Sequence, residues 1–134
     1  TEASSILASV VVFSKEHRLE PDLILGLIRV ESSFIPKAES NKGARGLMQV
    51  MPNIHKSLVL KEGGDIEDLW SPGFNIKIGT LILKQMLRNS DNDLNDALAK
   101  YNGSYGYDNG YADKVLNARG YFRKFNAALK NISS

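Results

Sequence analysis

The sequence predicts an all-α or mainly α single domain, and three observations predict it. Apolar residues recur at helical spacing along most of the chain, no alternating strand run appears, and Pro21 and Pro72 stand where helical patterns begin. A length of 134 residues, with no internal repeat and no linker, suits one hydrophobic core. The domain is therefore read as residues 1–134.

The elements follow in order. Ile6, Leu7, Val10, Val11 and Phe13 predict a helix from about Ser5 to Arg18. Glu20-Pro21-Asp22 opens a second one that runs to about Ser32, since proline costs no hydrogen bond at the first helical position and a carboxylate there favours the helix dipole. Along it Leu23, Leu27, Ile28 and Glu31 share one side, so Glu31 leaves the apolar face in the last turn, where an unpaired charge is costly. A polar loop from Pro36 to Arg45 leads to a short helix expected near Gly46 and another after Pro52, through about Leu60.

Gly63-Gly64-Asp65 is a break, after which Ser71-Pro72 reads as an N-cap opening a helix to about Arg88. Ile78, Leu81, Ile82, Gln85 and Met86 form its stripe, and Gly79 is expected at a close helix crossing. Leu94, Ala97, Leu98 and Tyr101 predict a helix ending around Asn102. A loop rich in glycine and tyrosine, from Gly103 to Gly110, precedes two closing helices, Tyr111 to Ala118 and Tyr121 to Lys130. The total is some seven helical pieces.

Composition narrows the function classes. A net charge of +2 with basic and acidic residues interspersed gives no footprint for nucleic acid. Without cysteine there can be no disulfide framework, thiolate metal site or cysteine nucleophile. The longest apolar stretches fall far short of the roughly 20 residues of a membrane span. Thr1 is not an initiator Met and no targeting segment precedes it, which reads as a processed form or a piece of a longer chain.

Two motif readings fail on spacing. Asp91-Asn92-Asp93-Leu94-Asn95-Asp96 begins like a calcium loop, but Asp96 occupies the glycine position and Asn102 the terminal glutamate position. His17 and His55 belong to no metal-binding pattern, so neither a metal nor a cofactor is expected. The glycosylation triplets at Asn102 and at Asn131-Ile132-Ser133 are short enough to be chance.

One pattern is specific. Glu31-Ser32-Ser33-Phe34, then Pro36-Lys37-Ala38-Glu39-Ser40, then Gly43-Ala44-Arg45-Gly46-Leu47-Met48-Gln49-Val50-Met51-Pro52 resembles the signature of soluble-type lytic transglycosylase catalytic domains, relatives of goose-type lysozyme. Ser71-Pro72 with Asn75-Ile76 and Gly79, Tyr101-Asn102-Gly103, and Tyr111-Ala112-Asp113-Lys114-Val115 match later segments in order, within about residues 19–121. The resemblance implies a lysozyme-like fold whose cleft binds the glycan strands of bacterial peptidoglycan. It also implies cleavage between N-acetylmuramic acid and N-acetylglucosamine that leaves a 1,6-anhydromuramoyl end, in the periplasm or otherwise at the cell wall, alone or within a larger cell-wall or secretion assembly.

In that mapping Glu31 is the catalytic acid, while Ser40, Met48, Gln49, Tyr101, Asn102 and Tyr111 support it or bind substrate. Residue chemistry agrees for Glu31: glycoside cleavage needs a proton on the leaving oxygen, and burial keeps a carboxyl protonated near neutral pH. Tyr105 and Tyr107 are candidates for stacking on sugars. Two departures stand out. The family commonly has Tyr-Asn-Ala-Gly where this chain has Tyr101-Asn102-Gly103-Ser104, and Glu-Thr where it has Tyr107-Asp108. A hydrolytic muramidase is the first alternative and needs a second carboxylate, for which Glu39 and Asp108 are available. A weakly active or inactive glycan-binding domain is the second.

Overall fold

The computed structural model describes residues 1–132, so Ser133 of the Asn131-Ile132-Ser133 triplet lies outside the described residues. Seven α-helices follow one another: α1 (Glu2–Glu16), α2 (Pro21–Ser32), α3 (Lys56–Lys61), α4 (Pro72–Arg88), α5 (Leu94–Asn102), α6 (Tyr111–Phe122) and α7 (Asn126–Ile132). Two 3-10 turns, Ile66–Trp70 and Arg123–Phe125, complete the order. Among the described residues there is no strand, only isolated bridges joining Glu39 to Arg45 and Arg45 to Val50. No described helix is long and apolar enough to cross a membrane.

Helix α2 is the central rod, buried continuously from Pro21 to Ile28. It packs on α6 at Gly26, where an added Cβ would stand 2.7 Å from the Arg119 amide nitrogen; only glycine lets the two backbones come this close. Asp22 at its start is fully buried and pairs with Arg119 at 3.1 Å and Arg123 at 3.6 Å. Its backbone amide donates to the Asn126 side chain at 3.1 Å, so one residue ties α2 to α6 and α7. Helix α1 lies against α4, and α5 packs on the other side of α4.

The main core runs through Ile24, Leu27, Ile28, Leu47, Met48, Ile76, Leu83 and Leu98, all fully buried. Truncating one such side chain to alanine typically costs about 2–5 kcal/mol. A smaller cluster of Val50, Val59, Leu69, Ile78 and Ile82 sits beneath the 45–52 segment, and Tyr101 packs against both.

The structure corrects four local expectations. Helix α1 starts at Glu2, because the Thr1 side chain accepts from the Ser4 amide and caps it. The helix expected near Gly46 is a tight loop, in which Arg45 and Val50 exchange backbone hydrogen bonds of 2.9 and 3.0 Å. Gly79 is not at a helix crossing: its missing Cβ makes room for Met48, whose own Cβ would lie 2.7 Å away. Ser71 takes the N-cap position of α4 but its side chain makes no capping bond.

Candidate active site

Glu31 occupies the last turn of α2, which stops because Ser33 and Phe34 both take left-handed backbone angles and turn the chain away. The carboxyl is half-buried and accepts a 2.6 Å hydrogen bond at Oε2 from the Tyr111 hydroxyl. Burial raises its pKa from 4.5 to about 7, and the Tyr111 bond opposes part of that rise. Tyr111, the first residue of α6, is itself 7 % exposed, and burial together with the neighbouring carboxylate pushes its hydroxyl well above the ordinary tyrosine range. The same two causes, burial first, keep Tyr101 protonated.

The wall opposite is the 38–50 loop. Gly46 adopts φ +77° and a Cβ there would stand 2.6 Å from the Leu69 carbonyl oxygen, so glycine is required. Gln49 also has positive φ, and its Nε2 donates to the Ala38 and Gly46 carbonyls at 3.0 and 2.9 Å. Both amide hydrogens are thereby used within the protein, which leaves Oε1 as the polar atom Gln49 can offer an occupant. Ser40 Oγ accepts from the Ala44 amide at 3.0 Å, closing the loop on itself. Tyr101 donates to the Met48 carbonyl at 2.7 Å and so fastens α5 to the same wall.

These parts enclose a cleft of about 290 Å³ that brings together Glu31, Ser40, Gln49, Tyr101, Asn102 and Tyr107. Tyr111 reaches it through the bond to Glu31. Met48 stands differently from the expectation of a sugar-contacting side chain: it is fully buried against Gly79, and its part in the site is the carbonyl that Tyr101 holds. Tyr105, 58 % exposed, lines a neighbouring groove instead, with Lys100 Nζ 4.8 Å from its ring centre. Tyr107 borders both cavities.

Of the two candidate second carboxylates, Glu39 is exposed and Asp108 uses Oδ1 to accept from the Gly110 amide at 2.8 Å. Among the described residues lining the cleft, Glu31 is the only carboxylate.

Four residues of the site had no assigned role at the level of sequence. Lys42 and Met51 line the cleft, and so does Asn109, whose side chain donates to Asn102 at 2.9 Å while accepting from the Tyr111 amide at 3.1 Å. Asn75, fully buried, donates to the Arg45 and Leu69 carbonyls at 2.9 Å each and accepts from the Met48 amide at 2.8 Å. Position within the quoted motifs was the only available signal for Lys42, Met51 and Asn75, and adjacency to Tyr111 for Asn109.

A family model described as the transglycosylase SLT domain matches residues 12–119. A transglycosylase of Enterobacteria phage PRD1 is 37% identical over 90 residues, covering 67% of this chain and 31% of that protein. A membrane-bound lytic murein transglycosylase C of Actinobacillus pleuropneumoniae is 40% identical over 86 residues, covering 60% of this chain and 24% of that protein. The chain thus spans a third or less of the length of these relatives. Among solved structures, an inactive mutant of the lytic transglycosylase Slt of Pseudomonas aeruginosa superposes with a TM-score of 0.80 at 28% identity, covering 90% of this chain and 24% of that one.

Proposed function

The chain belongs to the transglycosylase SLT domain family, and from that premise we propose that it is a peptidoglycan lytic transglycosylase acting through Glu31. It would cleave the bond between N-acetylmuramic acid and N-acetylglucosamine and leave a 1,6-anhydromuramoyl end. The observation that carries this reading is the isolation of Glu31: a half-buried carboxyl, hydrogen-bonded by Tyr111, alone of its kind among the described residues of the cleft.

The protonated Glu31 carboxyl donates its proton to the glycosidic oxygen, and N-acetylglucosamine departs as the alcohol. The substrate's own N-acetyl group steadies the positive charge at C1 of the muramic residue. Glu31, now a carboxylate, takes the proton from the muramic 6-hydroxyl as O6 bonds to C1, which restores the acid without water. One group serves both steps because a pKa of about 7 makes its two forms nearly equal in population at neutral pH. The intramolecular hydroxyl outcompetes water by proximity. Gln49 Oε1, Asn102 and Tyr107 are the groups available to hold the sugars, with Ser40 and Tyr101 fixing the walls.

A hydrolytic muramidase would place a second carboxylate about 5–5.5 Å or 6.5–9.5 Å from the acid, and the isolation of Glu31 favours the anhydro route. The substrate lies outside the cytoplasmic membrane, so this reading assigns the domain to the periplasm or cell wall, with glycan strands as its partner.

Cleavage of purified sacculi by the parent and by Glu31→Gln tests the proposal. The variant should still pellet with sacculi but lose about 10²–10⁴-fold in solubilisation, the usual worth of a general acid–base. An unchanged rate in a folded variant would overturn the role of Glu31. A parent that pellets with sacculi but never solubilises them would identify a glycan-binding domain.

A further inference from the structure

Beside the cleft lies a second groove, of about 640 Å³, between α5, the start of α6 and the 104–109 loop. It shares Tyr107 and Asn109 with the cleft, so an occupant of one passes directly into the other. Three carboxylates line it, Asp96 from α5, Asp108 from the loop and Asp113 from the first turn of α6. None of them forms an ion pair with another described residue. Lys100, one turn beyond Asp96, is drawn away: its Nζ donates to the Asn89 carbonyl at 2.7 Å and sits over the Tyr105 ring. Lys114, next to Asp113, lines a different groove with Arg29 and Tyr121.

A second observation is independent of charge. Ser104 lines the same groove at 2 % exposure, and its hydroxyl has no hydrogen-bond partner among the described residues. A buried hydroxyl left unpaired costs free energy unless an occupant or water completes it. Tyr105 and Tyr107, both more than half exposed, supply apolar faces at the rim.

We propose that this groove binds a primary ammonium group carried by the substrate close to the scissile linkage, with Asp96 and Asp113 supplying the counter-charge and Ser104 a hydrogen-bond acceptor. The proposal rests on the peptidoglycan reading for the identity of the polymer. Two parts of that polymer can carry such a group: an amine on the peptide branch of the muramic residue, or a glucosamine that has lost its acetyl group. An ammonium donates three hydrogen bonds and suits a site of acceptors with no competing cation. The groove would therefore set which strands are cut and leave the bond-breaking step to Glu31.

Pelleting with sacculi at low salt tests the idea and needs no turnover, so it stands apart from the question of reaction type. The probes are native sacculi, sacculi whose amines have been acetylated chemically, and sacculi stripped of peptide by an amidase. The parent should bind native sacculi about three- to tenfold more tightly than acetylated ones, a contrast that shrinks as salt rises. In Asp96→Asn/Asp113→Asn that ratio should fall to one, and Ser104→Ala should reduce it. Loss of the parent's preference on peptide-free sacculi would assign the amine to the peptide branch; its retention would assign it to the sugar. A parent that does not distinguish native from acetylated sacculi would overturn the proposal. So would a folded double aspartate variant, still pelleting with acetylated sacculi, that keeps the full preference.

Discussion

Burial raises the Glu31 carboxyl toward neutrality while the Tyr111 hydroxyl favours its charged form, so the fold itself carries a pH-dependent cost. With a pKa of 4.5 unfolded and about 7 folded, the folded state binds the proton more tightly. The corresponding stability is fully present below pH 4.5 and is lost as pH rises through about 7. A shift of that size corresponds to roughly 3 kcal/mol. Glu31→Gln should therefore be more stable than the parent at pH 8 by an amount of that order and nearly equal to it at pH 4, as read by urea unfolding at the two pH values. A variant no more stable at pH 8 would mean that Glu31 is not desolvated. Tyr111→Phe removes the bond that lowers the Glu31 pKa, so the alkaline fall of its activity should move to higher pH while the rate drops. An unmoved limb would show that Tyr111 does not act on the carboxyl.

At the scale of elements the site depends on a loop that has no helix or sheet to stiffen it. Asn75 replaces that support with three hydrogen bonds from within the core, two of them to the segment that bears Met48 and Gln49. Asn75→Ala leaves two carbonyls and an amide buried and unpaired, at about 1–3 kcal/mol each. A loss of roughly 3 kcal/mol or more in thermal or urea unfolding is expected, with weakened glycan binding in the protein that remains folded; a loss under 1 kcal/mol would contradict the clamp.

Pro21 and Pro72 announced α2 and α4 in the sequence because a helix start has a local chemical mark, and the Leu23, Leu27 and Ile28 stripe placed Glu31 on the right side. The Asn75 clamp and the Asp22 to Arg119 pair were illegible for the opposite reason. Their partners are 27 or more residues away, up to 97, and leave no local periodicity. The helix expected near Gly46 failed because a run of apolar residues there faces two core clusters from a loop held by Arg45 and Val50. Glu31, Ser40, Gln49, Tyr101 and Asn102 could be named from the signature, whereas Lys42 and Asn109 carry nothing in their own residue type that marks a cleft wall.

At the scale of the whole molecule, α2 and α6 bring the acid and its tyrosine together from 80 positions apart, and the loop and α5 close the cleft around them. That assembly leaves one carboxyl to act as acid and then as base, with the substrate's own hydroxyl as the nucleophile. The direct test is mass spectrometry of the muramic ends released from peptidoglycan in isotopically labelled water. The account predicts ends lighter than the hydrated product by one water, without incorporated label. Predominantly hydrated ends that carry the label, after correction for later exchange, would contradict it and make the protein a lysozyme.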